Sequence, residues 1–413
     1  TKKEPFISKN TKFVTLPLAA GILLLFLVYA FPTENMKDNV ARSSELYNYE
    51  GIYPQIITGY KSTQLDNYSD AYMLAGAIMT GSGNIIQDAM LVRRIEYNDM
   101  PMHLSLTNYA NRVDMPTYEM NYARYWNGYM VVLKPLLLFF DVADIKMINM
   151  ICQFILIFIV ISHIWKKYDH KYALAFFMLI ILLNPLAVSV SLHFSAVFYI
   201  AMLFTLLLLN MPGESLCRYS LLFFVVGMLT AYFDQFTYPL ITMGIPLVIL
   251  MIKEEFQRQK GNWLVKVFFL LSFFWSLGYV GMWGSKLVMG TLLTDYNIFD
   301  NGLNHATTYI GKDEITYFDT LWRNLKVLMR WPYVIAFGGT LIYFIANAIR
   351  NNFVLKIKWH VIPPFLLIIC LPLIDMLLPG HSFVHYWFTF RAFGITLFGG
   401  FCMLLTCLGR KDI

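Results

Sequence analysis

Residues 13–31 read Phe13-Val14-Thr15-Leu16-Pro17-Leu18-Ala19-Ala20-Gly21-Ile22-Leu23-Leu24-Leu25-Phe26-Leu27-Val28-Tyr29-Ala30-Phe31, without one charged side chain. At 1.5 Å rise per residue, such a run crosses most of a bilayer's ~30 Å of hydrocarbon. Lys2, Lys3, Lys9 and Lys12 stand before it. A cleaved signal peptide would have a shorter apolar core and an A-x-A-like site after it, so a retained anchor is expected. Nine further apolar runs follow, near 143–165, 171–190, 192–210, 218–234, 237–252, 263–285, 331–349, 359–378 and 387–408. They are rich in Leu, Ile and Phe and lack the ten-residue alternation of a membrane barrel. The fold class they predict is an all-α polytopic membrane protein of about ten transmembrane helices, with a range of 9–12 because the runs near 218–252 are short.

Composition points the same way. Of 413 residues, 58% are hydrophobic and 14% charged, and the mean hydropathy is +0.54. Soluble globules carry about 25% charged residues, so this chain cannot cover a soluble surface of its size. Disorder, collagen and a secreted disulfide scaffold are excluded on the same grounds. The five cysteines show neither a CxxC pair nor a zinc spacing, and four of them fall inside apolar runs.

The net charge of +6 follows from topology and implies no nucleic-acid partner. With ten spans and a cytoplasmic amino terminus, 17 of the 32 basic residues fall in short cytoplasmic loops and tails, from Lys166, Lys167 and Lys171 to Arg410 and Lys411. That is the positive-inside pattern, and it puts both termini in the cytoplasm. The chain reads as one membrane domain over 1–413. It has a first span (13–31), a long outer segment (32–142), spans two to seven (143–285), a second outer segment (286–330) and three last spans (331–413). The polar parts therefore face outward.

The first outer segment is rich in Tyr, Met and Asn. Ala71 to Met79 reads as a helix behind the acidic stretch Leu65-Asp66-Asn67-Tyr68-Ser69-Asp70. Tyr125 to Phe140 is apolar, but Lys134-Pro135 in its middle breaks a regular span. Two short amphipathic helices along the membrane surface are expected here. Asp66 and Asp70 lie one turn apart where a loop enters a helix, so each is a helix cap or a functional acid. Asp234 interrupts two apolar runs, and an ionisable group at membrane depth costs roughly 2.5–3.5 kcal/mol and marks a candidate site. The alternative is a short outer turn that meets water. His381 and His385 are four apart on one helical face, spacing that also suits a metal pair, although no third ligand stands nearby. Arg391, a few residues further, requires a counter-charge, either Asp375 or a phosphate oxygen. Arg124 and Lys134 are cations of the same kind, with snorkelling the alternative for Lys134. A carboxylate that takes a hydroxyl proton and cations that hold a departing phosphate would suit transfer from a lipid-linked phosphate.

In its loop placement the chain resembles the GT-C glycosyltransferases, which use polyprenyl- or dolichyl-phosphate sugars. Ser69-Asp70-Ala71-Tyr72 resembles the acidic motif of that class's first loop. Arg124-Tyr125-Trp126-Asn127-Gly128-Tyr129, Leu133-Lys134-Pro135-Leu136-Leu137 and Phe139-Phe140-Asp141-Val142 resemble the end of that loop. Phe233-Asp234-Gln235-Phe236-Thr237-Tyr238-Pro239 and His381 to Arg391 resemble later outer motifs of bacterial surface-polysaccharide members. The class usually has a second acid beside its Asp; here Ala71 follows Asp70, which leaves Asp66 and Asp70 both open as the base.

The resemblance implies an enzyme of the bacterial cell membrane. It would move a sugar by inverting displacement to a glycan or lipid-linked acceptor on the extracytoplasmic face. It also implies that Arg391, His381, His385 and Arg124 bind the carrier phosphate and that Asp234 orients the acceptor. Tyr72, Tyr125, Trp126, Tyr238 and Trp387 would stack on sugar or line a lipid groove, interfacial anchoring being the alternative. No firm cofactor is implied; some members of the class use a divalent metal. A polysaccharide polymerase or ligase would carry its long loop later in the chain. A transporter or flippase would show internal repeats and broken helices at the midplane. A structural membrane subunit is the remaining alternative.

Overall fold

The computed structural model describes residues 6–213, 215–310 and 315–410, with side chains from residue 16 to 409 of these. Lys2, Lys3 and Lys411, and the side chains of Lys9, Lys12 and Arg410, lie outside the described residues.

The chain is a polytopic helical membrane protein. Six helices are long and apolar enough to cross a bilayer: Val142–Lys167, Leu192–Asn210, Leu216–Phe233, Gly261–Leu293, Trp331–Arg350 and Tyr386–Cys407. A seventh is added if the pair Leu16–Tyr29 and Glu34–Glu50, bent by 82°, counts as one span. The remaining apolar runs form shorter helices, His170–Leu183, Ile241–Ile252 and Ile362–Met376. Local chemistry explains the shortening. Asn184 takes a left-handed conformation and Pro185 follows it, so the first of these stops at 14 residues, about 21 Å. Pro372 breaks the third, leaving Leu373–Met376 as a separate turn. Cys217, expected in a loop, lies in the helix Leu216–Phe233, and all five cysteines are free.

The connections collect at two ends of the bundle. At one end Lys253 donates to the Met211 carbonyl over 2.9 Å, Lys167 to the Leu209 carbonyl, and the Lys356 N–H to the Cys407 carbonyl over 2.8 Å. An antiparallel ribbon of Phe353–Leu355 with Leu408–Arg410 closes that end. The long segment after the first helix lies at the other end and is more than two surface helices. It forms helices Glu34–Glu50, Asn67–Ile78, Ile85–Leu91, Met102–Ala110 and Met130–Leu137, with a ribbon that pairs Arg93–Tyr97 with Thr117–Asn121. Met36, Leu74, Met90, Leu106 and Trp126 give this layer a core continuous with Leu25 and Ala231 of the bundle. Asn67–Ile78 arises where the sequence predicts a helix, and Pro135 leaves Met130–Leu137 at eight residues. The two ribbons carry no signal in the hydropathy pattern.

The tightest seam joins Leu216–Phe233 to Gly261–Leu293. A Cβ at Gly227 would lie 2.0 Å from the Trp275 carbonyl oxygen, and one at Gly278 would lie 2.0 Å from that of Phe224. Lipid tails are as apolar as side chains, so helices in a bilayer associate through such close backbone packing. Trp275 also donates to Thr242 over 3.0 Å, and Thr242 shares a 2.9 Å bond with Thr230. Gly278→Val is expected to destabilise the protein at or beyond the upper end of about 1–3 kcal/mol. Gly338→Ala, with nothing within 4 Å of the new methyl, is expected to be neutral. Thermal unfolding of both variants in detergent checks this.

Candidate functional site

The helix Leu192–Asn210 begins inside the outer layer, and its first turn organises the site. Its own cap residue, Ser191, makes no side-chain cap bond; its hydroxyl accepts from the Asp66 N–H over 3.0 Å. Asp70 takes its place. One Asp70 oxygen accepts from the Leu192 N–H over 3.1 Å and the other from the His193 N–H over 2.9 Å, while Lys146 stands 3.6 Å away. A carboxylate at a helix N-terminus meets free N–H groups and the positive end of the dipole. Asp70 is wholly buried, and burial pushes its carboxyl up against the pull of Lys146 and the two N–H groups. It caps a different helix from the one that carries it.

Asp66 has a different environment. It is the cap of Asn67–Ile78, accepting from the Ser69 N–H over 3.0 Å and the Ser69 hydroxyl over 2.9 Å. Its other contact is His193 Nδ1, at 3.2 Å. Burial opposes its ionisation, but the bonds to His193 and Ser69 together hold its carboxyl below the usual range. In the neutral ring, Nδ1–H donates to the carboxylate and Nε2 carries the lone pair; among the described residues Nε2 has no partner. The sequence reading missed His193. It sits at the start of an apolar span, and only the fold brings it to Asp66, 127 positions earlier.

Around this pair runs a circuit of ring contacts from several parts of the chain. Trp387 meets Tyr53 at 5.1 Å, Tyr53 meets Tyr68 at 6.2 Å, and Tyr68 meets Tyr72 at 4.8 Å between centroids. Tyr72 meets Tyr122 at 5.7 Å, and Tyr122 meets Tyr125 at 5.8 Å. The Tyr125 and Tyr309 hydroxyls lie 3.0 Å apart. Tyr309 meets His381 at 4.7 Å, His381 meets His385 at 4.9 Å, and His385 returns to Trp387 at 5.2 Å. Phe388 links the circuit to the dyad, stacked 5.2 Å from His385 and 5.9 Å from the His193 ring.

Among the described residues, several buried polar atoms of the circuit find no partner: both His381 ring nitrogens, His385 Nδ1 and Trp387 Nε1. Buried polar groups are nearly always satisfied, so a concentration of orphans calls for water, an ion or a ligand. Two arginines share this condition. Arg124 lies 4.5 Å over the Tyr122 ring with Nε unpartnered. Arg94 lies 3.9 Å over Tyr72 and 5.6 Å from Tyr122, pairs with Glu96, and leaves Nη1 unpartnered. Arg94, which sequence reasoning also missed, lies on a ribbon that hydropathy does not reveal.

Arg124 is among the residues lining an apolar groove of about 250 Å³ between Gly261–Leu293 and the helix Ile298–Ile310. Tyr279, Val280, Trp283, Ala306 and Ile310 line it, with His305 and Tyr309 beside the arginine. His305 Nε2 and the Tyr309 hydroxyl are 2.9 Å apart.

The other residues singled out from sequence are placed as follows. Arg391 is wholly buried and its guanidinium is occupied by carbonyls: Leu183 at 2.8 Å, Trp387 at 3.1 Å and Ser62 at 3.3 Å. Asp375 is not its partner, and Asp375 Oδ2 has none. Asp234 is buried, away from water, and binds the Thr237 N–H at 3.0 Å and the Thr237 hydroxyl at 2.6 Å, closing its own turn. Lys134 does not snorkel; it is buried and donates to the Ala77 carbonyl over 2.7 Å. Trp126 donates to the Met282 carbonyl over 2.7 Å, and Tyr238 to that of Phe194 over 2.8 Å. These five lock the architecture. Asp66, Arg124, Tyr125, His381 and His385 share the circuit, and Asp70 supports it from beneath. Among the described residues no group of three or more His, Cys, Asp or Glu is placed to hold a metal.

The histidines are held neutral. Burial pushes His385 down to about 4 and His381 well below its ordinary value. An unfolded chain binds protons at these histidines below about 6.5, whereas the folded one does so only near 4 or lower. Between these values the unfolded state holds more protons, so stability is lost as the pH falls. The effect of His385 is on the order of 3 kcal/mol. Unfolding temperatures recorded from pH 7 to 4 are expected to decline, and His381→Gln with His385→Gln is expected to flatten that decline.

No protein-family model matches the chain, and neither a curated protein nor a solved structure matches it.

Proposed function

We propose that this protein is an integral membrane glycosyltransferase of GT-C type. It moves a sugar from a polyprenyl-phosphate donor to a hydroxyl of a cell-surface glycan or lipid-linked acceptor. The supporting observation is the continuity of the groove, the arginines and the dyad. An apolar groove suited to an isoprenoid has Arg124 in its lining, with Arg94 one ring away, and the aromatic circuit leads from there to Asp66 and His193.

In this reading the prenyl chain lies along Tyr279, Val280 and Trp283, and the phosphate meets the unpartnered nitrogens of Arg124 and Arg94. The sugar packs against the tyrosines and Trp387. His193 Nε2 takes the proton of the acceptor hydroxyl, with Asp66 holding the imidazole in the required tautomer and balancing its new charge. The acceptor oxygen forms its bond to the anomeric carbon as the bond from that carbon to the phosphate oxygen breaks. The electron pair leaves on the phosphate, where the guanidinium forks accept it. Asp70 is a positioning residue here, since it fixes the first turn that carries His193.

Counting the first helix and the three shorter apolar helices as crossings gives ten passes, with both termini in the cytoplasm and the site outside. The loops collected at opposite ends of the bundle support that count. A transporter or flippase would need ionisable groups near mid-bundle; the acids and arginines named here gather at one end.

The test is sugar transfer by purified protein from a synthetic polyprenyl-phosphate donor. His193→Gln and Asp66→Asn are each expected to lower turnover by about 10²–10⁴-fold while keeping the unfolding temperature near native. Arg124→Gln is expected to raise the KM for donor. Full turnover in both the His193 and Asp66 variants would sink the reading.

A further inference from the structure

A further crevice lies outside the site just described. It encloses about 520 Å³ between the helix Tyr317–Leu328 and the turn Phe383–Tyr386. Among the described residues, Lys61, Arg323, Lys326 and Arg330 line it, against one acid, Asp319. Asp319 is engaged in its own helix cap, taking the Thr316 hydroxyl at 2.6 Å and the Thr316 N–H at 3.2 Å. Among the described residues none of the four cations forms an ion pair. Lys61 donates to Gln64 over 2.8 Å and Arg330 to the Gly59 carbonyl over 3.3 Å. Arg323 lies between the Phe383 and Tyr386 rings, 4.2 Å from each, and Lys326 touches only the Trp322 ring, at 5.4 Å. Four cations minus one acid leaves the described lining with a formal charge of +3 in one concavity. Such a concentration repels itself unless an anion enters.

The crevice is also a rigid one. Asn324 donates to the Ser382 carbonyl over 3.0 Å and accepts from the Thr389 hydroxyl over 2.8 Å, both bonds buried, which fixes the helix to the turn. The two cation–π contacts hold the Arg323 guanidinium with its edge available.

Its surroundings identify the kind of anion. Tyr317, Phe318, Trp322 and Trp331 are exposed on the outer side of the same helix and at the start of the span Trp331–Arg350. Exposed Trp and Tyr beside a span mark the headgroup level of a bilayer. Cations at that depth meet lipid phosphates. We propose that this crevice is a second anion site, one that binds the phosphate of a lipid headgroup. Arg323 and Lys326 act as its principal ligands, with Lys61 and Arg330 at the rim. The phosphate comes either from a bulk anionic phospholipid or from a prenyl diphosphate. The site does not depend on sugar transfer for its existence.

The experiment uses the full chain in phosphatidylcholine nanodiscs and follows Trp fluorescence. Three probes are titrated separately: farnesyl diphosphate, dihexanoyl phosphatidylglycerol and dihexanoyl phosphatidylcholine. Saturable binding of either anionic probe, at least tenfold tighter than the neutral one, supports the site, and the stronger of the two identifies the source. In an Arg124→Gln background, which removes the contribution of the donor groove, Arg323→Gln with Lys326→Gln is expected to weaken that binding at least tenfold. Lys326→Gln alone, which removes only the contact to the exposed Trp322 ring, is expected to weaken it about threefold. Equal binding of all three probes, or wild-type affinity in the double variant with a native unfolding temperature, overturns the proposal.

Discussion

The outer half of this molecule depends on one charge–dipole contact. Asp70, carried on Asn67–Ile78, holds the first two N–H groups of Leu192–Asn210. An unmet N–H at a buried helix start costs about 1–3 kcal/mol, and here two are answered by a single side chain 122 and 123 residues away in sequence, with Lys146 as counter-ion. The contact does more than stabilise. It sets the register between the outer layer and the bundle, and the residue after Leu192 is the histidine that reaches Asp66. The Asp66–His193 pair, to which the proposed function assigns the chemistry, is thus aligned by the contact that carries the packing.

The bundle was legible in the sequence because hydrophobic runs report burial in lipid directly. Six of the expected spans are present at full length, and the three that shorten do so at residues visible beforehand, such as Pro185 and Pro372. The site was legible only in part. Asp66, Arg124, His381 and His385 stood out as polar groups in apolar surroundings, and the fold brings them together. Arg391 and Lys134 stood out for the same reason, yet both serve backbone carbonyls. A buried cation that ties loose carbonyls and one that awaits an anion look alike in sequence, because the difference lies in where neighbouring helices end. His193 and Arg94 were missed for the complementary reason. Each sits in a short local pattern without meaning of its own; His193 meets its acid, and Arg94 its two tyrosine rings, only through the tertiary fold.

The aromatic circuit shows the same limit from another side. Its tyrosines were noted as a compositional excess and individually fitted interfacial anchoring. Their arrangement around unpartnered nitrogens is a property of the assembled fold. Tyr53, Tyr72, Tyr122, Tyr309 and Trp387 come from five separate segments, so no local window contains the pattern.

The occupied end of Leu192–Asn210 has a consequence for traffic at this face. Helix starts ordinarily attract oxyanions, and this one opens into the outer layer among polar groups. The carboxylate already seated there makes it an inhospitable berth for a second negative group. In the proposed reaction the carrier phosphate is therefore repelled from that corner and drawn towards the side of Arg124 and Arg94. On that proposal the seated carboxylate keeps the departing group and the incoming hydroxyl in separate territories.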